Sequence, residues 1–311
     1  MPYKSKAEIL AKFNEMSRTP EKCVRYEIGR TVKGEPIYMY RLGFPETPGR
    51  RKLSVLYCGS THGNEHPGAE LLLLYAEWLF YMREPIARDI MTNVFSYIIP
   101  IHNLDSYDEY KRVNANCVDI NRNFPEGWGG PGSSPGRCCS ICRGDSPADQ
   151  PETKALISVF EKFKPDFYLS IHSGTEALAY PPSCYTSPPP DKEKYEEICK
   201  RIVELSRERG VEPYRYGQVP FYRIDMAEPV RIPYPPYVIY QCCGTCIDTA
   251  YLRYRILSMV LEATSPHNPP YDRIPTYYFP RFLPIAIVLS TKPPPIITPL
   301  EKGKLYVELK I

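Results

Sequence analysis

The sequence predicts a single α/β domain built on a mixed, mostly parallel twisted β-sheet with helices on both faces. Three observations lead there. Short apolar runs rich in Val, Ile, Leu and Tyr alternate with longer helical patterns along the chain. Several of these runs end abruptly on polar or ionisable residues, as buried strands do at a sheet edge. No repeat period and no long linker divides the 311 residues, a length that suits one large domain.

Taken in order, Lys52–Cys58 is the first buried strand and runs into Gly59, Ser60, Thr61 and His62. Ala69–Met82 follows as a helix, with Pro67 near its first turn. Val94–Ile101 is a second strand, leading to His102, Asn103 and Asp105. Ser146–Phe163 reads as a helix with Ser146 as cap, Pro147 at the first position and Asp149 as capping-box acid. Asp166–Ile171 is a strand ending at His172 and Ser173, Asp191–Arg209 a helix, and Leu257–Leu261 a strand ending at Glu262. In open α/β sheets ligands bind outside the carboxyl ends of strands, which here present His62, Asn103, His172 and Glu262.

The expected organisation is a helical segment over 1–20, a catalytic domain over 21–265, and a Pro-rich tail over 266–311 packed on the same domain. Thr186–Pro190, Pro229–Pro236 and Lys292–Pro299 read as rigid loops within it. Leu305–Ile311 alternates apolar and charged residues, as a terminal edge strand would.

Composition excludes several classes of function. With 24% charged and 43% hydrophobic residues the chain is globular rather than disordered or collagen-like. No apolar stretch reaches the ~18 residues of a membrane-spanning helix, and Met1–Phe13 lacks the apolar core of a signal peptide. A net charge of +3, with no basic cluster beyond Arg50, Arg51 and Lys52, argues against nucleic acid. The expectation is a soluble cytoplasmic protein. Proline stands at roughly double its usual ~5%, and glutamine occurs only at 150, 218 and 241, which fits a heat-adapted protein. Eleven cysteines without a secretion signal ordinarily mean thiols or metal sites, but intracellular proteins of hyperthermophiles keep disulfides.

His62-Gly63-Asn64-Glu65 places an imidazole and a carboxylate three residues apart after a strand, and Gly63 permits a tight turn between them. With His172 they make two imidazoles and one carboxylate, the donor set of a catalytic zinc that keeps an open position. A His-x-x-Glu pair also arises by chance in roughly one such chain in four, and a strand-end histidine is more often simply hydrogen-bonded. Both readings stand on these pieces alone. Arg112–Phe124 then gathers two arginines and five polar side chains. Arginine suits recognition of a terminal carboxylate and stabilisation of an oxyanion, and an ordinary solvated loop fits the same residues equally well.

Five ordered segments tip the balance. Ile28–Ile37, Gly59–Glu65, Val118–Phe124, Leu169–Ser173 and Gly244–Tyr251, with Glu262 eleven residues further on, resemble the motifs of the zinc metallocarboxypeptidase family that includes carboxypeptidases A and B. Val118-Asp119-Ile120-Asn121-Arg122-Asn123-Phe124 is similar to that family's signature almost letter for letter. The resemblance spans about Tyr26 to Glu262. It implies a zinc ion on His62, Glu65 and His172, with Glu262 as general base, and Arg112 polarising the scissile carbonyl. It further implies that Asn121 and Arg122 bind the terminal carboxylate of a peptide substrate and that Tyr251 closes over it. His66 and His102 are taken as supporting or structural residues. Relatives of the fold also include amidases or endopeptidases acting on peptidoglycan stem peptides or γ-glutamyl chains, and a catalytically silent binding protein is a further alternative.

The chain departs from the family in three places. Asp248-Thr249-Ala250-Tyr251-Leu252 lacks the family's Trp and Gly around the tyrosine. Asn103-Leu104-Asp105-Ser106 replaces Asn-Pro-Asp-Gly. Cys139-Ser-Ile-Cys142 and Cys243-Gly-Thr-Cys246 form a paired CxxC pattern, read either as a second, closed four-sulfur zinc site or as disulfides, which the composition favours. Arg253, Tyr254 and Arg255 follow the tyrosine, and one arginine facing the pocket would select acidic C-terminal residues.

Overall fold

A computed structural model describes residues 2–291 apart from 47, 48, 50, 220, 223–236 and 240. The expected loops Pro229–Pro236 and Lys292–Pro299 and the strand Leu305–Ile311 lie outside the described residues. In chain order the elements are α1 (Lys6–Met16), β1 (Cys23–Arg30), β2 (Pro36–Leu42), β3 (Leu53–Gly59), α2 (Pro67–Phe80), α3 (Pro85–Asn93), β4 (Val94–Ile99) and α4 (Leu104–Tyr107). They continue with α5 (Pro151–Phe163), β5 (Phe167–His172), β6 (Ala177–Tyr180), α6 (Lys192–Glu208), β7 (Arg215–Gln218), β8 (Phe221–Tyr222), β9 (Tyr237–Ile239), α7 (Cys246–Asp248), β10 (Leu257–Glu262) and α8 (Phe279–Thr291).

The main sheet runs β1-β2-β4-β3-β5-β10-β6-β7, and β8 pairs separately with β9. Its centre is parallel, β4 to β3 to β5 to β10, while the β1–β2 hairpin joins β4 antiparallel and β6 joins β10 antiparallel. This is the expected mixed α/β sheet. Strands β4 and β5 are buried at every residue, because helices cover both faces, and so they read as unbroken apolar runs. Register then positions the chemistry. Gly59 at the end of β3 pairs with Ile171 of β5, and Glu262 of β10 pairs with His172 of β5, so three strand ends open on one spot.

Two elements depart from expectation. Helix α5 starts at Pro151 with Gln150 as its cap, not at Ser146. Asp149 does not cap a helix; its carboxylate turns back to accept from the Asp145 and Ser146 amides and from Asn123, and Ala148 takes a positive φ that breaks any helix there. The segment read as a Pro-rich tail contains α8, which is buried along most of its length and packs on α2 and β3. Tyr57 of β3 meets it through its hydroxyl on Ser290 and its ring on Phe282. Pro284 inside α8 costs a backbone hydrogen bond, and the apolar surround supplies the compensating burial. No helix among the described residues is long and apolar enough to cross a membrane.

Candidate metal centre and active site

The turn after β3 brings His62 and Glu65 together because Gly63 presses against backbone. A Cβ there would stand 2.6 Å from the Ser106 carbonyl carbon and 2.7 Å from the Lys111 oxygen. Close approach, rather than unusual φ, is what this glycine supplies. His62 Nδ1 lies 2.7 Å from Glu65 Oε1, His172 Nδ1 lies 2.9 Å from Glu65 Oε2, and the two Nδ1 atoms are 3.2 Å apart. Donors bound tetrahedrally at about 2.0–2.2 Å sit roughly 3.3 Å from one another; these atoms stand somewhat closer and would open by only a few tenths of an ångström to form one face of a zinc site. They are the only cluster of this kind among the described residues. All three side chains are buried. Burial opposes the Glu65 charge, yet the facing imidazoles hold its carboxyl well below the usual range. The donor set thus fits the metal that the resemblance implies.

Asp119 braces this cluster, and nothing in the sequence reading gave it a role although it lies inside the recognised motif. Its Oδ1 stands 3.1 Å from His62 Nε2, which as the protonated nitrogen leaves Nδ1 free to donate its lone pair. Its Oδ2 accepts from Arg112 Nε at 3.1 Å and Nη2 at 2.9 Å. Burial works against the Asp119 charge, but Arg112 and His62 outweigh it and hold the carboxyl far below its ordinary value. Its place inside the near-verbatim Val118–Phe124 motif was the available signal. On the other ligand, His172 Nε2 lies 3.1 Å from Ser170 Oγ.

A cavity of about 380 Å³ opens over the cluster, lined by Arg112, Asn121, Arg122 and Glu262 among others. Asn103 donates to the Arg112 carbonyl, and the Cys246 amide donates to Asn121 Oδ1 at 3.0 Å. Arg122 is oriented by its bonds to the Gly132 and Asn121 carbonyls. Burial, with the nearby charge of Glu65 adding to it, pushes Glu262 up to about 7 against the pull of His172 and the two arginines. A carboxyl that exchanges its proton near neutrality is suited to act as both base and acid.

Other expected residues lie elsewhere. Tyr251 is fully buried; its hydroxyl donates to Asp191 Oδ2 at 3.0 Å and its ring packs on Tyr195, away from the cavity lining. The structure does not bring it to the site. Arg253, Tyr254 and Arg255 do not line the cavity either; Arg253 faces Glu126 and Tyr254 donates to Glu161. The expected pocket lined by one of these arginines is therefore corrected: among the described residues, this part of the wall is made of the uncharged Ser183, Val219, Thr245, Cys246, Ile247 and Val260. His66 stacks between Tyr107 and Tyr110, and His102 is buried between Thr61 and the Glu152 carbonyl. The four-sulfur site is also excluded by pairing. Cys139 bonds Cys142, Cys243 bonds Cys184, and Cys246 remains a buried thiol beside Ser170.

Fold and site together define a metallohydrolase-like α/β protein with one donor triad among its described residues, set at the strand ends. The chain belongs to the zinc carboxypeptidase family, whose family model matches residues 9–280. Human mast cell carboxypeptidase A is 26% identical over 254 residues, covering 76% of this chain and 56% of that protein. Carboxypeptidase SOL1 of Arabidopsis thaliana is 32% identical over 178 residues, covering 56% of this chain and 33% of its own length. The chain thus spans about half, or less, of these curated relatives. Among solved structures, thrombin activatable fibrinolysis inhibitor superposes with a TM-score of 0.77 at 22% identity, covering 93% of this chain and 74% of that one. Murein-tripeptide amidase MpaA from Escherichia coli O157 superposes at 0.53 and 18% identity, covering 85% and 91%. These two likenesses concern the fold.

Proposed function

We propose that this chain is a zinc-dependent metallocarboxypeptidase that hydrolyses the C-terminal peptide bond of a peptide with a free carboxylate. The observation that supports it most is the convergence of His62, Glu65 and His172 with Glu262, Arg112 and Arg122 on one cavity. Zinc held by the triad would supply Lewis-acid activation of water and of the scissile carbonyl. Glu262 takes the proton of the attacking water on its carboxylate and later delivers it to the departing amine. Arg112, braced by Asp119, donates to the carbonyl oxygen as negative charge develops there. Arg122 and Asn121 hold the terminal carboxylate, which arginine's planar fork matches better than lysine's point charge. The uncharged lining that Val219, Ile247 and Val260 contribute among the described residues favours apolar C-terminal side chains, since a charge set against it would lack a partner there.

The test is residue release from matched peptides with free and amidated C-termini, with zinc and with chelator. Release confined to free termini and abolished by chelator supports the proposal. Cleavage of γ-linked or cell-wall-type peptides alone would favour the amidase alternative.

A further inference from the structure

The loop that carries Cys139 and Cys142 reaches the active site through two carbonyls. The Ser140 carbonyl accepts Arg112 Nε at 2.8 Å, and the Cys142 carbonyl accepts the Asp119 amide at 2.8 Å. Ser140 and Ile141, the two residues enclosed by the disulfide, line the cavity itself. The Arg112 side chain and the backbone of Asp119, the residue whose carboxylate Arg112 already bonds, are thus gripped from the same four-residue ring. Asp119 passes that grip to His62. Ser140 is exposed, so burial does little to fix its carbonyl; the covalent closure between Cys139 and Cys142 adds to the bonds from the Cys142 amide to the Cys139 carbonyl and from the Ser134 amide to the Ile141 carbonyl in confining that short loop.

We infer that the Cys139–Cys142 disulfide is a redox-active clasp that positions Arg112, and that its reduction lowers turnover. The assignment rests on the proposed role of Arg112. Cys139 is half-buried and Cys142 buried, so an incoming thiolate meets Cys139 Sγ. A dithiol reductant attacks that sulfur, the bond between the two cysteines breaks, and Cys142 leaves as a thiolate that takes a proton from water. The second thiol of the reductant then attacks its own sulfur in the mixed disulfide and releases Cys139, which is protonated in turn. Two electrons and two protons pass to the protein, and the dithiol becomes a disulfide. Cys138 lies exposed beside the clasp, and its hydrogen bond with the Cys117 thiol raises its pKa, which makes it a weaker competitor for this exchange. The effect is bounded. Removing an oxyanion donor outright costs ~10²–10³ in rate, and the clasp acts only through such a donor, so the expected loss of kcat is about tenfold.

The test uses the zinc-loaded full chain and a water-soluble trialkylphosphine, which reduces a disulfide with one water to two thiols and a phosphine oxide without the zinc chelation of a dithiol. Reduction is expected to lower kcat about tenfold with KM changed less than twofold, to reverse on reoxidation, and to raise amide exchange at Asp119. In an Arg112→Ala background the same reduction should change kcat less than twofold. C139S/C142S should show the lower kcat from the start and no further response to phosphine, because the remaining Cys184–Cys243 disulfide is buried on both sides. Unchanged exchange at Asp119 on reduction overturns the clasp even in a chain with no measurable activity, so its failure is separable from failure of the peptidase assignment. Unchanged kcat in an active, reduced enzyme overturns it as well, as does an equal loss in the Arg112→Ala background.

Discussion

Glu262 and His172 sit directly opposite each other at the ends of the parallel strands β10 and β5. The pairing sets the carboxyl proposed to move a proton beside an imidazole proposed to hold the metal, and no loop flexibility intervenes between them. Replacing Glu262 by Gln keeps the shape and removes the proton acceptor. Glu262→Gln should retain stoichiometric zinc and the folded stability of the parent while kcat falls by about two to four orders of magnitude. Loss of zinc in that variant would instead make Glu262 a ligand.

Asp119 fixes the tautomer of His62 and anchors Arg112 at the same time. Asp119→Asn should weaken zinc by about 10–100-fold, the usual cost of losing such a partner, and lower kcat even when zinc is saturating. Competition with a chromogenic chelator measures the first effect and kinetics at saturating metal the second. Parent-like zinc affinity would contradict the bracing role.

His102 gives a pH signature of stability. Burial lowers its pKa from 6.5 to about 4, in a pocket that satisfies the neutral ring through Thr61 and the Glu152 carbonyl. Above pH 6.5 neither folded nor unfolded chain carries the proton. As pH falls from 6.5 towards 4 the unfolded chain takes it and the folded chain does not, so stability drops by about 3 kcal/mol across that window and levels off below it. His102→Gln can make both hydrogen bonds without titrating. Urea unfolding from pH 8 to 4 should show a shallower acid loss in the variant, because the metal ligands titrate alike in both proteins. Parallel curves would count against this account.

The uncharged lining of Val219, Ile247 and Val260 found among the described residues predicts that Phe- and Leu-terminated peptides are cleaved with kcat/KM at least about tenfold above Glu- or Lys-terminated ones. Arg253→Ala and Arg255→Ala should leave that ranking intact, since neither residue lines the cavity. A preference for acidic termini that either substitution removes would reverse this conclusion.

What could be read from the sequence follows from burial. The central strands announce themselves because both faces are covered, and a His or Glu closing such a run is conspicuous, as with His172 and Glu262. Helix α8 was hidden because Pro280 and Pro284 argue against a helix locally, whereas contacts with Tyr57 and Tyr75 stabilise one. Tyr251 was misplaced because spacing alone does not separate a core tyrosine from a mobile one; its bond to Asp191 is a tertiary fact. Cysteine pairing is likewise three-dimensional. The CxxC spacing marks Cys139 and Cys142, but Cys243 finds Cys184 across 59 residues.

The most direct test of the account is zinc titration of the metal-free chain, with amino-acid release from a Phe-terminated peptide measured at each step. Activity should rise linearly to one zinc per chain and stop there, with His62, Glu65 and His172 as the ligands and no second ion on the cysteines. Release that persists without metal, or a plateau at two zinc ions per chain, would contradict it.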